Sequence, residues 1–251
     1  MTSLTLLCLA VTLGFGAISQ RVCGMGMGLV AVPFFVLATG PVLGVFTVNL
    51  AATVTGLAVC YSLRNDILWD RWRTIAWWSI VGTLPGVLIV AWLPSALLQI
   101  VIGSFLVLAL ITSVWLVRYR FPIPRQALGA TGFVGGLLNC TVGQAAPAMV
   151  LYQRATRWDQ RTFQATLQPS FLVMNIASLV AKGVGVDLPP IPMGALVFFA
   201  TVTGATCLGI VAGEILARHV SSELARKFAF AVALAGAAAT LFRGILAAMQ
   251  G

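Results

Sequence analysis

Six stretches of this chain, residues 42–63, 74–93, 96–117, 163–181, 192–216 and 228–248, are apolar over the length that a helix needs to cross a bilayer, roughly 20 residues. Backbone N–H and C=O groups in hydrocarbon must be satisfied within the segment, which selects helices, and the strand alternation of an outer-membrane barrel is absent. Composition agrees: 60% of the residues are hydrophobic and 8% are charged, with a mean hydropathy of +1.01, whereas a soluble domain carries roughly a quarter charged residues. The chain reads as an all-α integral membrane protein, embedded in membrane lipid.

Four shorter apolar segments, 4–20, 24–38, 126–138 and 144–153, come in two adjacent pairs. Each pair is joined through a Gly-rich or Gly/Ala-rich break: Gly24-Met25-Gly26-Met27-Gly28 in the first, and Gly143-Gln144-Ala145-Ala146-Pro147 in the second. Glycine weakens helix continuity, and the first break directly follows Arg21, a costly residue in hydrocarbon. Two Gly-interrupted short-helix hairpins therefore accompany the six long spans. Each is either a re-entrant hairpin or two complete but short crossings.

The charge, +9 from 15 Lys+Arg and six Asp+Glu, sits mainly in short linkers, as in cytoplasmic membrane loops. No soluble basic module is present, so nucleic acid is not an expected partner. Arg118, Arg120 and Arg125 precede the second pair and Arg154, Arg157 and Arg161 follow it, which places both of its ends in the cytoplasm. Extending that parity puts Arg64, Arg71 and Arg73 inside, together with Arg218, Arg226 and Lys227. The uncharged loops 39–41 and 94–95 fall outside, as do the 182–191 loop and both termini. The N-terminal residues lack a basic n-region, so no cleaved signal peptide is expected.

The breaks also mark an internal repeat. Gly24-x-Gly26 aligns with Gly143-x-Ala145 about 119 residues later, and glycine clusters recur in each half, at Gly82 and Gly86 and at Gly204, Gly209 and Gly213. The expected organisation is one membrane domain of two repeats, 1–120 and 121–251, with inverted topology.

A helix of about ten residues, such as Leu29 to Ala38, is roughly 15 Å long, half the hydrocarbon thickness, so its N-terminus sits near the midplane. Such a terminus offers free N–H groups and partial positive charge to an anion. Pro147 suits the first helical position of the second half-helix. Gly24, Gly26, Gly28, Gly143, Ala145 and Ala146 are thus candidate ligand-facing positions, the alternative being close helix packing through small residues. Arg21 pairs with the anion, or else caps the preceding helix or snorkels to water. Asn49, Asn139, Gln144, Gln168 and above all Asn175 are uncharged donors at bundle depth, or else helix–helix glue, and Thr47 and Thr166 are lesser candidates.

Lys182 and Arg243 are expected near the outer ends of their spans, as snorkelling anchors or anion attractors. Glu214 pairs with Arg218 or carries a coupling proton, and His219 reads as a boundary residue. The five cysteines, Cys8, Cys23, Cys60, Cys140 and Cys207, lack metal-ligand spacing and read as buried thiols, with Cys23 and Cys140 flanking the breaks. No catalytic cluster, metal site or cofactor is expected.

These motifs resemble a known family. Gly24 to Pro33 is similar to the G-x-G-G-G-x-x-x-x-P segment of the TauE/SafE sulfite and organosulfonate exporters, with Met27 in place of one glycine. Gly143 to Tyr152 is similar to that family's G-x-G-G-P-x-x-x-L-Y, with Ala145 and Ala146 in place of two. Arg64-Asn65-Asp66-Ile67-Leu68-Trp69 and Phe163-Gln164-Ala165-Thr166-Leu167 resemble its polar turn and the counterpart in the second half, and the likeness runs from about Gly14 to Phe242. The resemblance implies a transporter of small sulfur-containing or carboxylate anions, built as an inverted-repeat helical bundle. With the two breaks, it points to a secondary transporter working by alternating access around a midplane site. A passive anion channel and a membrane thiol relay for sulfur groups are the rival readings.

Overall fold

The computed structural model describes residues 11–18, 27–115, 124–190, 194–216 and 222–250. Helix α1 covers residues 11–18. It is followed by α2 (Met27–Thr39), α3 (Pro41–Ser62), α4 (Trp69–Trp92), α5 (Ser95–Trp115), α6 (Leu128–Val142), α7 (Ala146–Thr156), α8 (Gln160–Gly185), α9 (Ala195–Leu216) and α10 (Ser222–Gln250). Short 3₁₀ turns at Arg64–Asp66 and Arg125–Ala127 complete the described elements, which include no strand.

Six helices, α3, α4, α5, α8, α9 and α10, are long and apolar enough to cross a membrane, matching the six long runs of the sequence. In none is more than half of the apolar window buried inside the bundle. The rest exposes large side chains such as Trp77, Leu84, Leu208 and Val211, a surface suited to lipid contact. Helix α4 begins at Trp69, ahead of the apolar run, because Asp70, Arg71 and Arg73 can extend a helix into water as readily as apolar residues extend it into lipid.

Local chemistry sets the helix ends. Gly40, at φ +86°, turns the chain directly from α2 into α3, and Pro41 opens the next helix where its missing N–H costs little. Asp159 caps α8 by accepting from the Thr162 N–H at 3.1 Å, and that backbone bond holds its carboxyl below the usual carboxylate range.

The core is centred on α2, which packs against α3, α5 and α10. Ala31, Val32, Phe35 and Val36 are wholly enclosed. Helices α4 and α6 approach backbone to backbone: a Cβ on Gly82 would overlap the Phe133 carbonyl, and one on Gly136 the Ser79 carbonyl. Small residues here serve close packing, as they commonly do between membrane helices. Gly209 of α9 meets Gly14 of α1 in the same manner, where an added Cβ would lie 2.7 Å from the Gly14 Cα.

The arginine linkers 64–73 and 154–161 share one end of the bundle. Arg161 Nε donates to Asp66 Oδ2 at 2.9 Å, and the Arg71 guanidinium lies 4.3 Å from the centre of the Trp158 ring. At the opposite end Arg243 donates to the Leu37 carbonyl, one of the last carbonyls of α2, where a cation satisfies both hydrogen bonding and the helix dipole. Arg118, Arg120, Arg218 and His219 lie outside the described residues.

Candidate functional site

The second break is fully described. Helix α6 stops at Gly143, whose backbone is left-handed (φ +74°, ψ +20°) while its N–H donates to the Asn139 carbonyl, a glycine C-cap. Gln144 and Ala145 bridge to α7, with Ala146 as its first residue and Pro147 as its second, one position later than the sequence suggests. No side chain caps the N-terminus of α7, so its first N–H groups face whatever occupies the break.

Gly28, at the end of the first break, meets the second. A Cβ on Gly28 would collide with the Gly143 carbonyl oxygen and lie 3.1 Å from Gln144 Oε1. A Cβ on Gly143 would lie 2.9 Å from Val32 of α2, 3.2 Å from Val45 of α3 and 3.7 Å from Asn49 Oδ1. Gly28 is therefore small because the Gly143 carbonyl passes against it, and Gly143 because of its left-handed backbone and the side chains of Val32 and Val45, with Asn49 and Gln144 at the same junction. Arg21, Cys23, Gly24 and Gly26 lie outside the described residues.

Beside the junction α3, α6 and α8 hold a buried polar cluster. Asn49 Nδ2 donates to Ser178 Oγ at 2.8 Å and, more weakly, to the Asn139 carbonyl at 3.4 Å. Asn139 Nδ2 donates to Asn175 Oδ1 at 2.9 Å. Ser178 and Lys182 both lie close to the Cys140 side chain. Gly86 of α4 closes against Cys140, where an added Cβ would stand 2.9 Å from the cysteine Cβ. Asn49, Asn139 and Asn175 thus tie helices together, and buried polar groups of this kind need such partners.

Three atoms of this region have no hydrogen-bond partner among the described residues: Asn49 Oδ1, Gln144 Nε2 and Lys182 Nζ. The lysine corrects the sequence expectation. It does not snorkel to an outer interface; its side chain is 0% exposed. Side chains on an α-helix lean back toward its N-terminus, so a lysine near the C-terminal end of α8 points toward the turn of Ser178, away from the aqueous end. The described salt bridges, Arg73–Asp70, Arg161–Asp66 and Lys227–Glu223, do not include it. A buried cation without a carboxylate partner costs several kcal/mol, on the order of 3 even by the lower membrane-insertion scales.

The remaining candidates fall elsewhere. Thr47 bonds back to the Leu43 carbonyl within α3, and Thr166 is held between the Thr162 carbonyl and the Leu68 N–H at the arginine-rich end. Gln168 Oε1 is buried without a partner among the described residues. Cys60, Cys140 and Cys207 are free thiols, and no three His, Cys, Asp or Glu among the described residues group as a metal site. Sequence reasoning passed over Ser178 and, although it placed Lys182 at the end of its span, missed that the lysine is enclosed. The available signal was the i, i+3, i+7 spacing of Asn175, Ser178 and Lys182, which puts all three on one face of a helix.

A protein-family model described as Sulfite exporter TauE/SafE matches residues 8–241 of the chain. Comparison with curated proteins and with solved structures found no match.

Proposed function

The chain belongs to the TauE/SafE sulfite exporter family, as the match over residues 8–241 establishes, and from that premise we propose that it is a secondary transporter exporting sulfite or a short organosulfonate. Membership alone makes it a multi-pass membrane transporter of the sulfite-anion type. The substrate binds where the two breaks converge, at Gly28 and at Gly143, Gln144, Ala145 and Ala146, with Asn49 and Asn175 in the adjoining cluster. Arg21, Gly24 and Gly26 are assigned to the same site by their sequence positions.

The observation that carries this reading is the contact between Gly28 and Gly143, next to an uncapped helix N-terminus and to the unpartnered polar atoms of Asn49 and Gln144. Uncapped N–H groups bind oxyanions without a full cation, which suits a site that must also release its ligand.

The halves 1–120 and 121–251 act as inverted repeats that rock against each other, the termini lying outside. Exchanged pairings support this: the fourth helix of the first half packs on the first of the second half (α4 on α6), and α9 packs on α1. Helices α3 and α8 pair with each other, as do α5 and α10, as helices beside a two-fold axis do. The arginine linkers gathered at one end support the orientation.

The test is flux in proteoliposomes. Labelled sulfite is expected to show saturable, counterflow-stimulated exchange, and an ohmic current without exchange would replace the carrier by a channel.

A further inference from the structure

We propose that Lys182 is the counter-charge of the transported anion, so that the sulfonate or sulfite group seats beside the α3–α6–α8 polar cluster and completes an ion pair that the protein leaves open. This rests on the transport reading above and adds the residue that selects for charge. The lysine is fully enclosed, its ammonium lacks a hydrogen-bond partner among the described residues, and the described salt bridges leave it out.

Its surroundings are polar. Cys140, Ser178, Asn49, Asn139 and Asn175 are each nearly or wholly buried, and the Ser178–Asn49 bond at 2.8 Å links the lysine's own helix to the residue that stands 3.7 Å from the position of a Gly143 Cβ. The cluster is therefore continuous with the junction of the two breaks. Gln144 Nε2 and Lys182 Nζ are donors without a partner among the described residues. A guest that brings its own negative charge turns an uncompensated cation into a pair, whereas a neutral guest of the same shape leaves it uncompensated. Recognition is thus by charge as well as by oxygen geometry.

The experiment uses the purified full-length protein in detergent and measures thermal unfolding against methanesulfonate, sulfite and dimethyl sulfone, the last an uncharged near-isostere of methanesulfonate. The wild type is expected to be stabilised by both anions and not by the sulfone. Lys182→Met is expected to lower anion affinity at least tenfold, while its own unfolding temperature without anion stays equal or rises, because an apolar side chain replaces an unpaired charge. Lys182→Arg is expected to keep anion binding.

Ser178→Asp supplies an internal carboxylate one turn before the lysine and is expected to compete the anion off while raising stability, which also decides the matter should Lys182→Met fail to fold. Wild-type anion affinity in a folded Lys182→Met or Ser178→Asp protein overturns the assignment and leaves the transport reading standing. A wild type stabilised by neither anion overturns the sulfur-oxyanion reading itself, and this inference with it.

Discussion

The two short helices that open at the breaks, α2 and α7, occupy corresponding places in the proposed repeats, yet the bundle treats them differently. Nine residues of α2, from Met27 to Val36, are buried, whereas only Met149 and Tyr152 of α7 are. Helix α2 carries no charge and is enclosed by α3, α5 and α10; α7 carries Gln153 and Arg154 and touches α6 and α8. A helix apolar on every side can be enclosed by other helices without burying a polar group, while one with a polar face keeps an open side. The difference teaches that two short helices beside glycine-bearing segments need not share one duty: α2 is a wall, and α7 presents its uncapped N-terminus from a less enclosed position.

The largest expected effect breaks this comparison if it fails. Gly28→Val places a branched side chain against the Gly143 carbonyl, and overpacking of this kind costs typically ~1–3 kcal/mol, whereas Ala148→Val on half-buried α7 is expected to stay within about 0.5 kcal/mol. Thermal unfolding of both variants measures it, and equal losses would remove the distinction between wall and open helix.

A smaller effect sharpens the role of the polar cluster. Asn175→Ala leaves the Asn139 amide without its acceptor and is expected to cost about 1 kcal/mol, between the ~0.6 average for polar bonds in membrane helices and the ~1–3 of an orphaned buried group. Anion affinity measured beside stability separates the two roles of this residue: a stability loss with unchanged affinity makes Asn175 a tie between α6 and α8 only.

The smallest effect concerns the arginine-rich end. The Arg161–Asp66 pair is largely exposed on the arginine side, so a double-mutant cycle with alanine at both positions is expected to give a coupling of at most about 1 kcal/mol, diminished by salt. A larger value would make this end a rigid clamp between the linkers.

Much of this architecture is legible in the residues themselves. The six spans were visible because crossing hydrocarbon requires a certain apolar length, which neighbours cannot alter. The family was visible in the glycine patterns, and the glycine C-cap at Gly143 in the interruption of an apolar run. Less legible were side-chain directions. Asn49 and Asn175 stand out in the sequence as polar groups at depth, but their partners Ser178 and Asn139 come from other helices, and pairing across helices leaves no trace in local sequence. For Lys182, distance from the end of its span is the wrong variable, because the side chain leans back along its helix.

The sequence by itself determined that this is a helical membrane protein of the TauE/SafE family, with six long spans and two glycine-rich interruptions, because backbone satisfaction in lipid, apolar length and glycine's freedom are properties of a segment alone. Only the tertiary structure decided that Gly28 lies against Gly143, that α2 is enclosed while α7 is not, and that the one lysine of α8 turns inward. Those outcomes depend on which faces of the described helices are brought together, and burial of a charge or an amide is set by the neighbours that surround it.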